Sequence, residues 1–209
     1  MITAAARAGT DEERILVERV GAAARAGVHL IQIRQPQFEG GALTRLVERS
    51  VMAAKGSAAR IMVNDRVDVA ITAGAHGVHL RGDSMQAARV RAIAPRGFTI
   101  GRSVHSPVEG ARVAQEGDLD YVIFGTVFAT RSKPGVDAAG IDALAAVCAT
   151  VALPVLAVGG MTLGRLQAVA GAGAAGCAAV GLFADGPLAD MAAVVRQTTL
   201  VFDTPGHVP

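Results

Sequence analysis

The stretch "FTIGRSVHSPVEGARVAQEGDLDYVIFGTVF", residues 98–128, reads as one complete strand–helix–strand unit. Residues 98–104 and 121–128 are rich in Val, Ile and Phe and bounded by turn-forming residues, the pattern of buried strands. Between them, Ser106 with Glu109 three places later forms a capping-box pattern, and Pro107 suits a first helical position. Strands joined through a helix need a crossover connection, and such connections build a parallel sheet.

The same alternation runs outward in both directions. Further strands are expected at 28–34, 60–64, 77–80, 154–158 and 176–180, which with the two above makes seven. An eighth falls on the stub 1–3, so the first strand reads as short or truncated. Helices are expected at 41–55, 66–74, 84–94, 141–148, 163–171 and 187–198. Another begins at Thr10, which with Glu13 repeats the capping box before Ile15, Leu16 and Val20, and stops at Gly27. Eight such units in 209 residues point to a small (β/α)8 TIM barrel, formed as a single domain over 1–209. A doubly wound sheet would carry a glycine fingerprint after its first strand, and none follows Thr3.

Composition narrows the function classes. Twenty Lys and Arg stand against 18 Asp and Glu, so no overall field favours nucleic acid or an anionic membrane. Aromatics make up 3%, with no Trp and one Tyr, which leaves no stacking platform for single-stranded nucleic acid. No apolar run approaches the roughly 20 residues that span a bilayer, and charge arrives too early at the start for a secretory signal. A cytoplasmic protein is expected, with Cys148 and Cys177 as buried thiols in a reducing compartment. The short first strand leaves an apolar flank that a second subunit could cover, which gives room for a homo-oligomer.

In a barrel, polar residues at the C-terminal strand ends converge on one mouth. Those ends carry Gln32 and Arg34 two apart and hence on one face, then Asn64 and Asp65, Ser103 and His105, and Thr126. Gly159, Gly160 and Gly181 close the last two strands. Glycine amides there can approach an oxyanion closely, and late barrel strands are where the fold commonly binds phosphate. The segment 129–140 after the sixth strand is the longest connection and reads as a lid, carrying Thr130, Ser132 and Lys133. Asp65 suits either a magnesium ion or the start of the next helix. Of five histidines, His29 lies at the far end of its strand, His76 in a connection and His207 in the tail. His79 reads as a packed or structurally bonded residue. His105 stands at a strand's C-terminal end, where an imidazole can carry protons near neutral pH.

Through "IQIR", "VNDRVDVA", "GVHL", "IGRSVHS", "DYVIFGTVF", "TRSKPG" and "PVLAVGGMT", in that order, the chain resembles the thiamine phosphate synthase superfamily, and within it the TenI-type thiazole tautomerases. The synthases join a pyrimidine diphosphate to a thiazole phosphate using magnesium. What resembles their diphosphate site is Gln32, Arg34, Asn64, Asp65, Ser103 and Lys133. Two positions depart from that pattern: Pro36 stands where the motif has a lysine, and Ser84 where it has a metal-binding aspartate. Those losses favour the tautomerase branch, which needs neither metal nor diphosphate. The expectation is thus an isomerase that aromatises a carboxythiazole phosphate. The phosphate would rest on Gly159, Gly160, Val180 and Gly181, the lid residues would close over the ring carboxylate, and His105 would move the proton without a cofactor. The alternatives are the magnesium-dependent transferase making thiamine phosphate, with Asp65 at the metal, and a non-catalytic regulatory barrel.

Overall fold

Parallel strands β1 (Leu30–Ile33), β2 (Arg60–Asn64), β3 (Gly77–Leu80), β4 (Thr99–Val104), β5 (Tyr121–Phe124), β6 (Val155–Val158) and β7 (Gly176–Ala178) pair in chain order. The structure, a computed structural model, describes residues 1–130, 135 and 137–202. The curled sheet closes through the N-terminal stub. Ile2 bridges Gln32 in parallel register, the Ile2 amide donates to Ala179 O at 2.8 Å and the Thr3 amide to Gln32 O at 3.0 Å. Three residues therefore do the work of an eighth strand, and the seam that the sequence left open to a second subunit is filled from within the chain.

The strands alternate between two buried faces, as parallel strands covered on both sides must. Met62, Tyr121, Ile123 and Ala178 point into the barrel, with Ile2, Leu30, Leu156 and Val158 packed on them. Ile31, Ile61, Val63, Val78, Ile100, Val122 and Phe124 point outward and join the larger core beneath the helices. Among the described residues those helices are α1 (Asp11–Ala26), α2 (Gly40–Ala53), α3 (Val67–Thr72), α4 (Ala87–Ile93), α5 (Pro107–Glu116), α6 (Gly140–Thr150), α7 (Leu166–Gly171), α8 (Gly181–Ala184) and α9 (Met191–Phe202). None is long and apolar enough to cross a membrane. Cys148 and Cys177 are free and only partly buried.

Both capping boxes form with a shifted return bond. Thr10 Oγ1 accepts from the Glu12 amide, while the Glu13 carboxylate accepts from the Gly9 amide. Ser106 Oγ accepts from the Glu109 amide at 3.1 Å, and Glu109 Oε2 reaches back to the amide of His105 at 2.6 Å. The second cap thereby fixes the backbone of a strand-end histidine.

Several elements differ from the sequence reading; among them α8 is not expected, and the helix expected over 187–198 opens as a 3-10 turn, Leu188–Asp190, and ends at Phe202. The strand expected over 121–128 ends at Phe124 because Gly125, at φ 159°, passes so close to β6 that a Cβ would sit 2.1 Å from Val158 O. The helix expected from 84 begins at Ala87, since the buried Arg102 donates to the carbonyls of Arg81, Gly82, Ser84 and Met85 and holds those residues as a loop. The helix expected over 163–171 opens as a 3-10 turn, Leu163–Arg165, before α7.

Candidate active site

The C-terminal ends of the strands surround a cavity of about 1600 Å³. Gln32, Arg34, Asn64, Ser103, His105, Thr126 and Thr130 all line it, as do Gly159, Gly160, Val180 and Gly181. Eleven of the residues expected at the mouth therefore meet there. Ser132, Lys133 and the rest of 131–134 and 136 in the expected lid lie outside the described residues, as does His207. Asp65 does not line the cavity.

At one side of the mouth the backbone forms a cradle. Gly159 (φ 104°) and Gly160 (φ 61°) both occupy the left-handed region, which side chains disfavour. A Cβ on Gly159 would lie 2.6 Å from Thr126 Cγ2, and one on Gly160 would lie 2.6 Å from Ala129 O. Glycine is thus required twice over, by conformation and by approach. Residues of the 3-10 turn after Thr162 and of the short α8 after Val180 line the cavity, and the first amides of such turns lack intrahelical partners. Arg165, which the sequence reading missed, lines the mouth beside the cradle; it donates to Gly160 O at 2.6 Å and lies 4.6 Å over the Phe128 ring.

Elsewhere on the rim, β1 supplies Gln32 and Arg34. Gln32 is 6% exposed and its Nε2 donates to Asn64 Oδ1 at 2.9 Å, but among the described residues its Oε1 has no donor. A buried acceptor left open in a cavity suits a ligand N–H group. Arg34 is exposed, and among the described residues its guanidinium has no partner; only its amide is bonded, to Thr3 Oγ1. An unpaired guanidinium offers a planar fork to a phosphate group.

His105 lies on the cavity wall, as its strand-end position implied. Its Nδ1 sits 2.6 Å from Gly125 O; a carbonyl only accepts, so Nδ1 carries the proton and Nε2 is left for a ligand.

Below the rim, His79 is 2% exposed, with Nε2 2.8 Å from Ser103 Oγ and Nδ1 3.1 Å from the Tyr121 hydroxyl. Burial, helped by the Arg102 charge, lowers its pKa from 6.5 to about 3. Folded His79 therefore stays neutral where the unfolded chain's histidine takes a proton. The unfolded state binds more protons between those values, so stability is expected to fall as pH drops from 6.5 toward 3. Urea midpoints measured across that window are expected to decline in the wild type and to decline less steeply in His79→Gln. Equal slopes would contradict the burial argument.

The loop after β3 brings charges together that the sequence did not connect. Ser84 Oγ donates to Asp65 Oδ1, Arg81 lies 3.7 Å from Asp65 Oδ2, and the same guanidinium grips Asp83 through two nitrogens. Asp65 does not cap α3, whose N-cap is Arg66. A magnesium ion at a phosphate site draws on one or two carboxylates. Here Asp65 and Asp83 both already pair with Arg81, and Asp65 does not line the cavity. This donor set does not fit magnesium.

A family model described as thiamine monophosphate synthase matches residues 2–183. The chain belongs to that TMP-TENI family. Curated relatives of this TMP-TENI chain include the thiamine-phosphate synthase of Methanoculleus marisnigri, 40% identical over 76% of this chain and 75% of that protein. That of Azorhizobium caulinodans is 35% identical over 92% and 90%. Among solved structures, thiamine phosphate pyrophosphorylase from Pyrococcus furiosus superposes with a TM-score of 0.80 at 25% identity, covering 97% of this chain and 94% of that one. A 3-hexulose-6-phosphate synthase, at TM-score 0.71 and 19% identity, shares the fold.

These relatives correct the expectation of a thiazole tautomerase. Proteins at 35–40% identity over most of the chain carry the synthase name, and the isomerase reading is withdrawn. The two departures that favoured it, Pro36 and Ser84, do not lie on the cavity wall. Ser84 keeps a direct bond to Asp65. Pro36 sits exposed beside Gln35, whose amide side chain is anchored by Ala6, Thr3 and Ala4.

Proposed function

We propose that this TMP-TENI protein is a transferase that joins a pyrimidine diphosphate to a thiazole phosphate, releasing diphosphate and forming thiamine phosphate. The observation that carries the reading is that one cavity is lined both by the left-handed glycine pair 159–160 and by Arg34, whose guanidinium has no partner among the described residues; we read each as a place for an anion. Two phosphorylated substrates need two such places.

In this reading the thiazole phosphate rests on the amides around Gly159, Gly160, Val180 and Gly181. The diphosphate lies on Arg34 with Asn64 and Ser103, and Gln32 Oε1 accepts from an N–H of the pyrimidine. The carbon–oxygen bond to diphosphate breaks as the thiazole ring nitrogen bonds to the same carbon. Charge gathers on the leaving oxygens, where Arg34 and the Ser103 hydroxyl are already placed and need no reorganisation. No step is drawn through a metal ion, because the carboxylates do not fit one.

The attacking ring nitrogen bears no hydrogen, so the coupling itself releases no proton. His105 is accordingly no acid/base here, and it serves as a rim contact through Nε2. His105→Asn is expected to lower kcat/KM by less than about tenfold, well short of the 10²–10⁴-fold loss that removing a general acid/base brings. A steady-state comparison at one pH decides between them.

The activity is tested with purified protein, both substrates, and either magnesium or a chelator, by measuring thiamine phosphate. Product formation is the expected result. Binding of both substrates without product would overturn the transferase reading and leave a regulatory barrel.

A further inference from the structure

We infer that Tyr121 and His79 act as positioning residues that fix the proton order of a buried chain ending at Ser103, so that the Ser103 hydroxyl always donates into the cavity. The inference rests on the diphosphate reading of this pocket given above and names how one of its donors is set.

Hydrogen counting carries the argument. Tyr121 is 5% exposed, and among the described residues its hydroxyl has one hydrogen-bond partner, His79 Nδ1. A buried O–H with a single neighbour must give its hydrogen to that neighbour or leave it unpaired, which is costly. Nδ1 therefore accepts. His79 is buried and neutral, so its one ring hydrogen sits on Nε2 and is donated to Ser103 Oγ. Ser103 Oγ is thereby occupied as an acceptor from below, and its own hydrogen is free for the cavity that Ser103 lines. An oxyanion, which only accepts, is the ligand this arrangement suits; a donor group would meet a hydroxyl already turned against it.

The barrel interior is shaped to hold the first link. Gly101 lies on β4 beside Tyr121 in register, and a Cβ there would fall 2.1 Å from Tyr121 Cζ. Only glycine lets the phenol ring lie across the barrel, where it stacks on His79 with centroids 5.6 Å apart. A tyrosine serving only as packing would not need its hydroxyl on an imidazole.

The test uses the full chain and inorganic pyrophosphate as the probe. Nitrogen NMR of the labelled protein, with the His79 signals assigned by loss in His79→Gln, is expected to show a bare Nδ1 and a protonated Nε2. In Tyr121→Phe, which keeps the ring, the Nδ1 signal is expected to move toward the protonated form. Pyrophosphate affinity, read by calorimetry, is expected to fall about tenfold in that variant and by about 10–100-fold in Ser103→Ala, the range for hydrogen bonds to charged groups. The double variant is expected to bind no more weakly than Ser103→Ala alone, since both changes remove one donor. A protonated Nδ1 in the wild type overturns the proposal, as do losses that add in the double variant. So does unchanged affinity in Tyr121→Phe. Wild-type protein that fails to bind pyrophosphate overturns the diphosphate reading and the donor role together, while the nitrogen spectrum still reports the proton order separately.

Discussion

Gly160→Ala is expected to lower kcat/KM by about a hundredfold or more, with the KM for the thiazole phosphate rising most. Two independent costs meet at this position. The residue sits at φ 61°, where a side chain costs roughly 1–2 kcal/mol. The added Cβ would also lie 2.6 Å from Ala129 O and 2.8 Å from Phe128 Cβ. Ala129 O is backbone, so relief has to come from moving the cradle itself, and a displacement of about 1 Å in a binding group can cost about 10²-fold. Gly171→Ala is the control: it ends α7 and a Cβ there meets nothing within 4 Å. Steady-state kinetics on both variants, with far-UV circular dichroism to confirm the fold, check the claim. Equal kinetics in the two would remove the glycine cradle from phosphate binding.

The cradle also shows why parts of this molecule could be read early. Alternating apolar runs and helix caps are local signals, and the strands at 60–64 and 77–80 appear with the expected bounds. The placement of Gln32, Arg34, Asn64, Ser103 and His105 on one cavity follows from strand parity plus the rule that barrel strands end at a common mouth. What stayed hidden depends on contacts between strands far apart in sequence. Gly125 cuts β5 short because of its approach to β6, which no local propensity reports. Arg102 points outward from β4, where a strand pattern expects an apolar residue, and that mismatch was the one available hint that it pins the loop 81–85. His79 had a readable position but an unreadable role, because Tyr121 and Ser103 lie 42 and 24 residues away. The branch assignment failed for a different reason. Ser84 and Pro36 read from the sequence as losses of charge, yet a hydroxyl can keep a carboxylate in place, as Ser84 does for Asp65.

Arg34→Gln is expected to lower kcat/KM by about 10²–10³-fold, the range for removing one preorganised donor to a developing anion. The effect should fall on the pyrimidine diphosphate and leave the KM for thiazole phosphate little changed, because the glycine cradle is built from other strands. Arg34→Lys is expected to recover only part of the loss, since an ammonium cannot present two parallel N–H groups to a phosphate. Stability separates this role from a structural one. Among the described residues the Arg34 guanidinium holds no protein acceptor, so its removal is expected to change unfolding free energy by no more than about 0.5 kcal/mol. A cation kept unpaired at the rim of a cavity adds little to the fold, which is the physical reason to look for its partner in the substrate. If Arg34→Gln instead destabilised the protein while leaving turnover intact, the diphosphate would have to be held elsewhere, with Arg81 the next cation on the cavity wall.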